Sequence, residues 1–347
     1  MNNTLDPKFS IILPIYNVEK YLKVALDNLK NQTFSDFEAI CVNDGSPDNS
    51  LAILEEYAKL DSRFKIINQA NQGQGAARNN ALKVARGEYI MYLDPDDFWS
   101  NNTLEEIYSA FTNHDVDIVQ FNFVLCEESD GKDIEVRKLH ELIAKNFNFK
   151  LNHEQIFKWN DITKNVLPDL ISIVWDKAYT RKFLIENNIK CGENRISEDV
   201  IFSISSTLKA KSIIYLNNVL YHYRMRAGSV MQSVSKNALD MFDNIVLIKR
   251  FLNENKLMDI YNEDFQKLAA SSSATVYERT PIDLQKAYIA KAKETLSKEA
   301  FKQFKKIIGG NLSLLEKFIS FKNRKIAGQR YKVIRFFFLE FKVKINH

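Results

Sequence analysis

The segment "FSIILPIYNVEKYLKVALDNLKNQ" (9–32) changes its hydrophobic period between its two halves. Residues 9–17 form a short, nearly continuous apolar run that predicts a buried β-strand, whereas the apolar residues of 19–32 recur at helical spacing. The same order of strand and helix returns at 37–44 and 49–61, 64–69 and 75–87, and 88–94 and 102–114, before a strand at 116–126. Short buried strands that alternate with helices indicate an α/β domain, with a mainly parallel sheet flanked by helices.

The pattern becomes irregular between about residues 127 and 170, and then resumes as strands and helices in 170–189, 197–210 and 212–229. From about residue 235 onward only helical periodicity is recognisable. We therefore predict two domains, an α/β domain at 1–232 and an α-helical C-terminal domain at 233–347.

Composition places the chain among ordinary globular proteins. Of its 347 residues, 45% are hydrophobic, 27% charged and 12% aromatic, which excludes a disordered chain. The three cysteines, Cys41, Cys126 and Cys191, are widely spaced and form no disulfide framework, which favours a reducing cytoplasm. We recognise no secretion signal and no apolar window of the roughly 20 residues that a spanning helix needs.

Charge is distributed unevenly along the chain. Residues 317–347 contain nine Lys or Arg and one acid, Glu340, so this tail has a net charge of +8. Because the whole chain has a net charge of +4, the remaining residues have a net charge of −4. The tail is interpreted either as a final helix that packs its aromatic residues on the helical domain, or as a peripheral anchor on an anionic membrane. On the second interpretation the protein would lie on the inner face of the cytoplasmic membrane. Because the rest of the chain is acidic and we recognise no nucleic-acid-binding motif, we expect no nucleic-acid partner.

Polar residues follow three of the predicted strands where those strands end. They are Tyr16-Asn17, Asn43-Asp44 and the "DPDD" of residues 94–97, and the carboxyl ends of parallel strands form the ligand-binding edge of such a sheet. Carboxylate oxygens are the ligands that Mg2+ or Mn2+ prefers, so "DPDD" predicts a cation site. The alternative is a solvent-facing turn or a helix cap.

Two further motifs lie between these strand ends. In "VNDGSPDNS" (42–50), Asp48 or Asn49 is predicted to cap the next helix, which leaves Asp44 unexplained. "NQGQGAARNN" (71–80) offers two glycines for close backbone approach and places Arg78 in the first helical turns. It is a poor dinucleotide-binding loop, because Arg78 stands where the third glycine should be and the segment follows the third strand.

Five segments, taken in order and spacing, resemble the family 2 glycosyltransferases with the GT-A fold. They are "SIILPIYNVEKYL", "VNDGSPDNS", "NQGQGAARNNAL", "GEYIMYLDPDD" and "SEDVIF", and the resemblance extends from about residue 8 to 230. It implies inverting transfer from a nucleotide-diphosphate sugar, usually a UDP-sugar, with bound Mn2+ or Mg2+. The implied acceptor is a glycan, or a lipid-linked glycan, of the bacterial surface.

The resemblance also implies roles for residues on the donor side. Arg78 would contact the base or diphosphate, Asp44 the base, and Asp94 the ribose. The metal would be held by Asp96 with support from Asp97. The remaining implied neighbours of the nucleotide are Pro14, Tyr16, Asn17 and Glu19.

In "RISEDVIF" (195–202), Glu198 and Asp199 precede an apolar helix, where acidic residues are common for electrostatic reasons alone. The resemblance makes Asp199 the base that deprotonates the acceptor and Glu198 an acceptor contact. It also suggests Trp175 and Lys177 as acceptor residues, although a core Trp beside surface charges is the alternative.

In "LYHYRMRAGSVMQS" (220–233), the resemblance implies that His222 binds the metal or the diphosphate. A lone His in an apolar run is otherwise a core residue. Arg226 and Ser229 are predicted members of a loop that closes over the diphosphate.

Two other functions were weighed against glycosyl transfer. A sugar-phosphate nucleotidyltransferase would carry a glycine-rich basic loop after its first strand, where this chain has "PIYNVEKYL" without glycine. A non-catalytic nucleotide- or glycan-binding module would need neither the metal-binding Asp96 nor the base Asp199.

Overall fold

A computed structural model describes residues 6–127, 133–135, 152–158, 167, 173–194, 196–225, 237–310, 322–326, 329–336 and 339–344. The chain divides into two compact units, Met1–Arg226 and Ala227–His347. This division lies close to the predicted boundary near residue 232. Arg226, Ser229 and most of the segment 127–170 lie outside the described residues.

The N-terminal unit is built on one mixed sheet. Its strands are β1 (Phe9–Ile15), β2 (Phe37–Asp44), β3 (Phe64–Gln69), β4 (Tyr89–Tyr92), β5 (Phe98–Trp99), β6 (Ile118–Glu127), β7 (Asp133–Glu135), β8 (Gln155–Phe157), β9 (Lys177–Thr180) and β10 (Ile213–Met225). Within the described residues the order is β3-β2-β1-β4-β9-β6-β10-β5, with β7 beside β6 and β8 beside β10. The pairings β3-β2, β2-β1, β1-β4 and β6-β10 are parallel. The predicted α/β class with a mostly parallel sheet is confirmed.

Helices follow the strands in the predicted order. In this unit they are α1 (Glu19–Lys30), α2 (Ser50–Leu60), α3 (Gln74–Val84), α4 (Thr103–Asn113), α5 (Arg181–Glu186) and α6 (Asp199–Lys209). Every residue of β1 and β2 is buried, as expected for central strands that are covered on both faces. α1 buries one stripe at helical spacing, which includes Leu22, Leu26 and Leu29.

The C-terminal unit contains α7 (Met241–Glu254), α8 (Met258–Tyr277), α9 (Ile282–Thr295) and α10 (Lys298–Gly310), and a short 3-10 helix at Ala238–Asp240. The predicted helical character is therefore confirmed for residues 238–310. None of the helices that the structure describes is long and apolar enough to cross a membrane.

The described residues of the tail are not helical, which contradicts the interpretation of the tail as a final packed helix. Its described residues form three antiparallel strands, β11 (Lys322–Ile326), β12 (Gln329–Phe336) and β13 (Leu339–Lys344). The sequence "LEFKVK" (339–344) alternates apolar with charged residues, a period of two that favours a strand over a helix.

Candidate active site

The predicted ligand-binding edge exists because β1, β2 and β4 are parallel neighbours. Ile15 pairs with Asn43 in the β1–β2 register, so the ends of the two strands lie side by side. Beyond them, Tyr16 is 48% exposed, whereas Pro14 is buried within β1. Asn17 has a φ of 54°, a left-handed conformation that Asn tolerates better than most residues. The exposed Tyr16–Asn17 turn is therefore the part of this predicted group that a ligand can reach.

Glu19 ties the turn after β1 to the turn after β2. Its Oε2 accepts hydrogen bonds from the Asn49 backbone N–H at 2.8 Å and from Asn49 Nδ2 at 2.9 Å. In return, Asp48 accepts from the N–H of Glu19 at 2.9 Å and of Ser50 at 3.1 Å, which are the first residues of α1 and α2. Asp48 thus binds the first backbone N–H of both helices, although the N-cap position of α2 is Asn49, and Glu19 links the two turns.

Asp44 organises the loop that precedes α3. Its Oδ1 accepts from Gln69 Nε2 and from the Gln72 backbone N–H, both at 2.8 Å, and its Oδ2 accepts from the Gly73 N–H at 2.8 Å. A carboxylate has about four acceptor positions, so one position remains for a ligand donor. These hydrogen bonds to the loop explain why a buried strand ends in an acid. The predicted contact of Asp44 with the nucleotide base stays a prediction.

Arg78 joins two parts of the site in a buried fork. Its Nη2 donates to Asp94 Oδ1 at 2.7 Å and its Nη1 to Glu198 Oε1 at 2.6 Å, and its side chain is only 3% exposed. A direct contact with base or diphosphate would require these ion pairs to open, so the structure assigns Arg78 to support rather than to ligand contact. For the same reason Glu198, which is buried, is held by Arg78 and not presented to an acceptor.

Asp199 differs from its neighbour in environment. It begins α6 and is partly exposed, and among the described residues no other side chain donates a hydrogen bond to its carboxylate. Burial raises the pKa of Asp199 well above its usual range, the negative charges of Glu198 and Asp94 raise this pKa further, and Arg78 lowers it. A carboxylate with a raised pKa and free acceptor positions is suited to take up a proton.

The three carboxylates of residues 94–97, here called the carboxylate turn, are not equivalent. The turn is closed by a hydrogen bond from the Asp97 N–H to the Asp94 carbonyl at 3.0 Å. Asp97 is buried, and its two oxygens accept from the Tyr221 hydroxyl and from the Arg224 N–H, both at 2.7 Å. Burial raises the pKa of Asp97 well above its usual range. Asp94 and Asp96 are both partly exposed, and Asp94 is bound to Arg78.

His222 contacts residues outside the carboxylate turn, and its role as a metal ligand stays a prediction. Its ring stacks on Phe98 with centroids 4.7 Å apart, and Nε2 lies 3.2 Å from Ser100 Oγ. Adjacent residues of a strand point to opposite faces, and the preceding Tyr221 takes the face that reaches Asp97. Among the described residues, no group of three or more His, Cys, Asp and Glu side chains has the geometry of a metal site.

The predicted acceptor residues are buried. Trp175 is 6% exposed and stacks on Tyr221 at 4.2 Å between ring centroids. Lys177 is 1% exposed, and its Nζ donates to Asp176 Oδ1 at 2.5 Å and to the Ile173 carbonyl at 3.2 Å. The interpretation of Lys177 as an acceptor contact is wrong, and Trp175 belongs to the core beneath the site.

One face of α3 holds the loop that leads to Asp199. The side chain of Asn79 donates to the Cys191 carbonyl at 3.0 Å and accepts from the Cys191 N–H at 2.9 Å. Arg78 reaches Glu198, and Gly75 lies so close that a Cβ there would be 1.9 Å from the Gly192 carbonyl oxygen. The predicted role of a glycine in close backbone approach is confirmed at Gly75, although its neighbour is protein.

We expect Gly75→Ala to lower the free energy of unfolding by about 1–3 kcal/mol, the usual cost of overpacking. Helix propensity alone would favour alanine by about 1 kcal/mol, so the sign of the effect tests the clash. Gly309→Ala in α10 is the matched control, because no atom lies within 4 Å of its added Cβ. Chemical unfolding of both variants measures the difference, and a stabilised Gly75→Ala would contradict this packing.

Tyr221 escaped the sequence analysis, and Arg224, predicted together with Arg226 to precede a loop that closes over the diphosphate, binds the carboxylate turn. The Arg224 Nε donates to the Asp96 carbonyl at 2.9 Å, and its guanidinium lies over the Tyr21 and Phe98 rings. The alternation of side chains along β10 could have identified Tyr221, because it places this residue on the face opposite His222.

Comparison with protein families supports this description. The model of the family described as "Glycosyl transferase family 2" matches residues 10–181. EpsH of Bacillus subtilis is 32% identical over 266 residues, which cover 74% of this chain and 73% of EpsH. The cholesterol galactosyltransferase of Borreliella burgdorferi is 31% identical over 268 residues, which cover 74% of this chain and 72% of that protein.

Two solved structures share the fold. The S. aureus TarS fragment 1–349, in complex with UDP-GlcNAc, superposes with a TM-score of 0.64 at 20% identity and covers 98% of this chain and 99% of that chain. The mannosyltransferase PcManGT of Pyrobaculum calidifontis, in complex with GDP-Man and Mn2+, gives a TM-score of 0.52 at 16% identity, with coverages of 90% and 81%. At these identities the likeness concerns the fold alone.

Proposed function

We propose, because the chain belongs to glycosyl transferase family 2, that it moves a hexose or N-acetylhexosamine from a UDP-sugar to a hydroxyl of a glycan acceptor. The observation that carries this proposal is the network around Arg78. It connects Asp94, two positions before Asp96, with Glu198, which directly precedes Asp199. The network thus joins the segment that carries a candidate cation ligand to the segment that carries a candidate base.

We assign the base to Asp199. Its carboxylate takes the proton of the acceptor hydroxyl while that oxygen forms a bond to the anomeric carbon. The bond from this carbon to the diphosphate oxygen breaks on the opposite side, so UDP leaves and the anomeric configuration inverts. The raised pKa of Asp199 suits this role, because a stronger base accepts the proton more readily.

The side chains of this site would hold a divalent cation, Mn2+ or Mg2+, only together with oxygen ligands from the substrate. Asp96 is a partly exposed carboxylate of the turn, and such ions are commonly bound by one or two carboxylates together with substrate phosphates. When bound, the cation would act as a Lewis acid on the departing diphosphate. Asp97 supports the turn from within and is not part of the proposed ligand set.

The donor and acceptor classes are supported by relatives. Solved TarS structures contain UDP-GlcNAc and UDP, which favours a uridine nucleotide. The acceptors named for relatives range from cholesterol to poly(ribitol-phosphate), so the family leaves the acceptor open within surface glycans and lipids.

A donor screen tests this function. The protein is incubated with UDP-glucose, UDP-galactose and their N-acetyl forms, with Mn2+, Mg2+ or EDTA, and released UDP is measured. We expect metal-dependent UDP release from at least one donor. Binding of a UDP-sugar without any release, with and without candidate glycan acceptors, would instead identify a non-catalytic binding module.

We also propose that the basic tail holds the enzyme at an anionic membrane surface. Each basic residue near such a surface contributes about 1 kcal/mol, so a net +8 is sufficient without a lipid anchor. An acceptor carried on a membrane lipid would give this location a purpose, because enzyme and substrate would share one surface.

The full-length protein is expected to cosediment with vesicles that contain anionic lipid at low salt, and to be released at high salt. Truncation after Leu315, which lies outside the described residues, should abolish cosedimentation while UDP release from soluble donor is largely retained. Vesicles of neutral lipid are the control. Equal recovery of the full-length and truncated proteins in the supernatant would contradict membrane binding by the tail and would favour a role in packing.

A further inference from the structure

The hydroxyl of Tyr221 contacts both ends of the carboxylate turn. It donates to Asp97 Oδ2 at 2.7 Å and accepts from the Asp94 N–H at 3.3 Å. The ring is fully buried and stacks on Trp175, with an interplanar angle of 18°. Because β10 and the Trp175 stack fix the ring, the hydroxyl is a rigid point of attachment for the turn.

Arg224, on the same strand, provides the second attachment. Its N–H donates to Asp97 Oδ1 at 2.7 Å, and its Nε donates to the Asp96 carbonyl at 2.9 Å. Together, Tyr221 and Arg224 bind the turn through the backbone of Asp94 and Asp96 and through both oxygens of Asp97. The side chain of Asp96 is partly exposed and takes no part in these four hydrogen bonds.

We propose that Tyr221 is a positioning residue for the divalent cation. Its hydroxyl fixes the carboxylate turn so that the Asp96 carboxylate is held in the orientation that binds the ion. This inference rests on the proposed function, and it gives the buried hydroxyl a role beyond packing. Partners that orient a metal ligand typically affect metal affinity by 10- to 100-fold when they are removed.

A core tyrosine without this role would affect stability alone. Tyr221→Phe keeps the ring and its stacking on Trp175 and removes only the hydroxyl. Tyr215→Phe is the matched control, because Tyr215 lies on the same strand and its hydroxyl donates to Asn122 Oδ1 at 2.9 Å, away from the turn. Tyr221→Phe loses the two hydrogen bonds of its hydroxyl and Tyr215→Phe loses the bond to Asn122, so thermal unfolding measures the structural part of each effect.

The deciding measurement is Mn2+ affinity, obtained by calorimetric titration of Mn2+ into the protein saturated with UDP. We expect Tyr221→Phe to weaken Mn2+ binding by roughly 10-fold, whereas Tyr215→Phe leaves it unchanged. Near-saturating Mn2+ should restore most of the UDP release by Tyr221→Phe. Mn2+ affinity equal to that of wild type would overturn the inference, whatever the change in stability.

Two comparisons separate this inference from the proposed function. If wild-type protein with UDP binds no Mn2+ and releases no UDP from any donor, the proposed function fails. If wild type does both and Tyr221→Phe matches it, the positioning role alone fails. Should Tyr221→Phe not fold, Asp97→Asn tests the same contact, because one amide oxygen cannot replace two carboxylate oxygens as acceptors for Tyr221 and Arg224. Weaker Mn2+ binding in a folded Asp97→Asn supports the inference, and wild-type binding overturns it.

Discussion

Asp199→Asn is expected to reduce sugar transfer by roughly 100-fold or more, the scale for loss of a general base, while UDP affinity stays close to that of wild type. The amide has nearly the shape of the carboxylate but cannot accept the acceptor proton. The Arg78 bridge between Asp94 and Glu198 does not include Asp199, so the donor side should keep its structure. Steady-state transfer and calorimetric UDP titration measure the two quantities separately.

The control for this variant is Asp243→Asn, which makes the same change in the first turn of α7. It measures what loss of a helix-terminal charge does by itself, an effect of about 0.3–1 kcal/mol. Loss of UDP binding in Asp199→Asn would place the residue on the nucleotide side and contradict its assignment as the base.

The pH dependence gives a second readout of the same residue. The pKa of Asp199 is raised by burial and by Glu198 and Asp94, with Arg78 acting in the opposite direction. Because the base must be ionised, wild-type transfer should fall as the pH drops through this raised pKa. The acidic limb should therefore lie above the ordinary range of an aspartate, and it should be absent from the residual rate of Asp199→Asn.

Asp96→Asn is expected to remove metal-dependent turnover and to leave the fold intact. A Lewis-acid cation contributes several kcal/mol to the transition state, and each 1.36 kcal/mol is tenfold in rate, so a loss of roughly 100-fold or more is expected. Asp96 is partly exposed, and we expect the unfolding temperature to change little. UDP release over a range of Mn2+ concentrations checks the first expectation, and thermal unfolding checks the second.

The matched comparison is Asp97→Asn, one residue further on. Asp97 is 1% exposed and accepts two hydrogen bonds, so this variant should lose stability as well. A near wild-type rate for Asp96→Asn with Mn2+ would show that the metal assignment is wrong.

The sequence by itself determined the fold class and the position of the site along the chain. Hydrophobic period is a local property, so the change from a continuous apolar run to helical spacing identified β1 and α1 directly. Parallel strands place their carboxyl ends on one edge, so Asp44 and Asp94 could be assigned to that edge without coordinates. The tail was the local failure, because its alternation of basic and apolar residues was weighed as a packed helix or a membrane anchor and not as strands.

Only the tertiary structure decided which side chains of that edge are available to a ligand. Asp96 and Asp97 are chemically identical neighbours, yet Tyr221 and Arg224, more than a hundred positions away, bind the side chain of Asp97 in a buried position, whereas Asp96 is partly exposed. Arg78 had the sequence position of a ligand contact, and burial between Asp94 and Glu198 made it a structural bridge. Hydrogen bonds and burial at this edge depend on residues that are distant in sequence, and a local pattern carries no information about such partners.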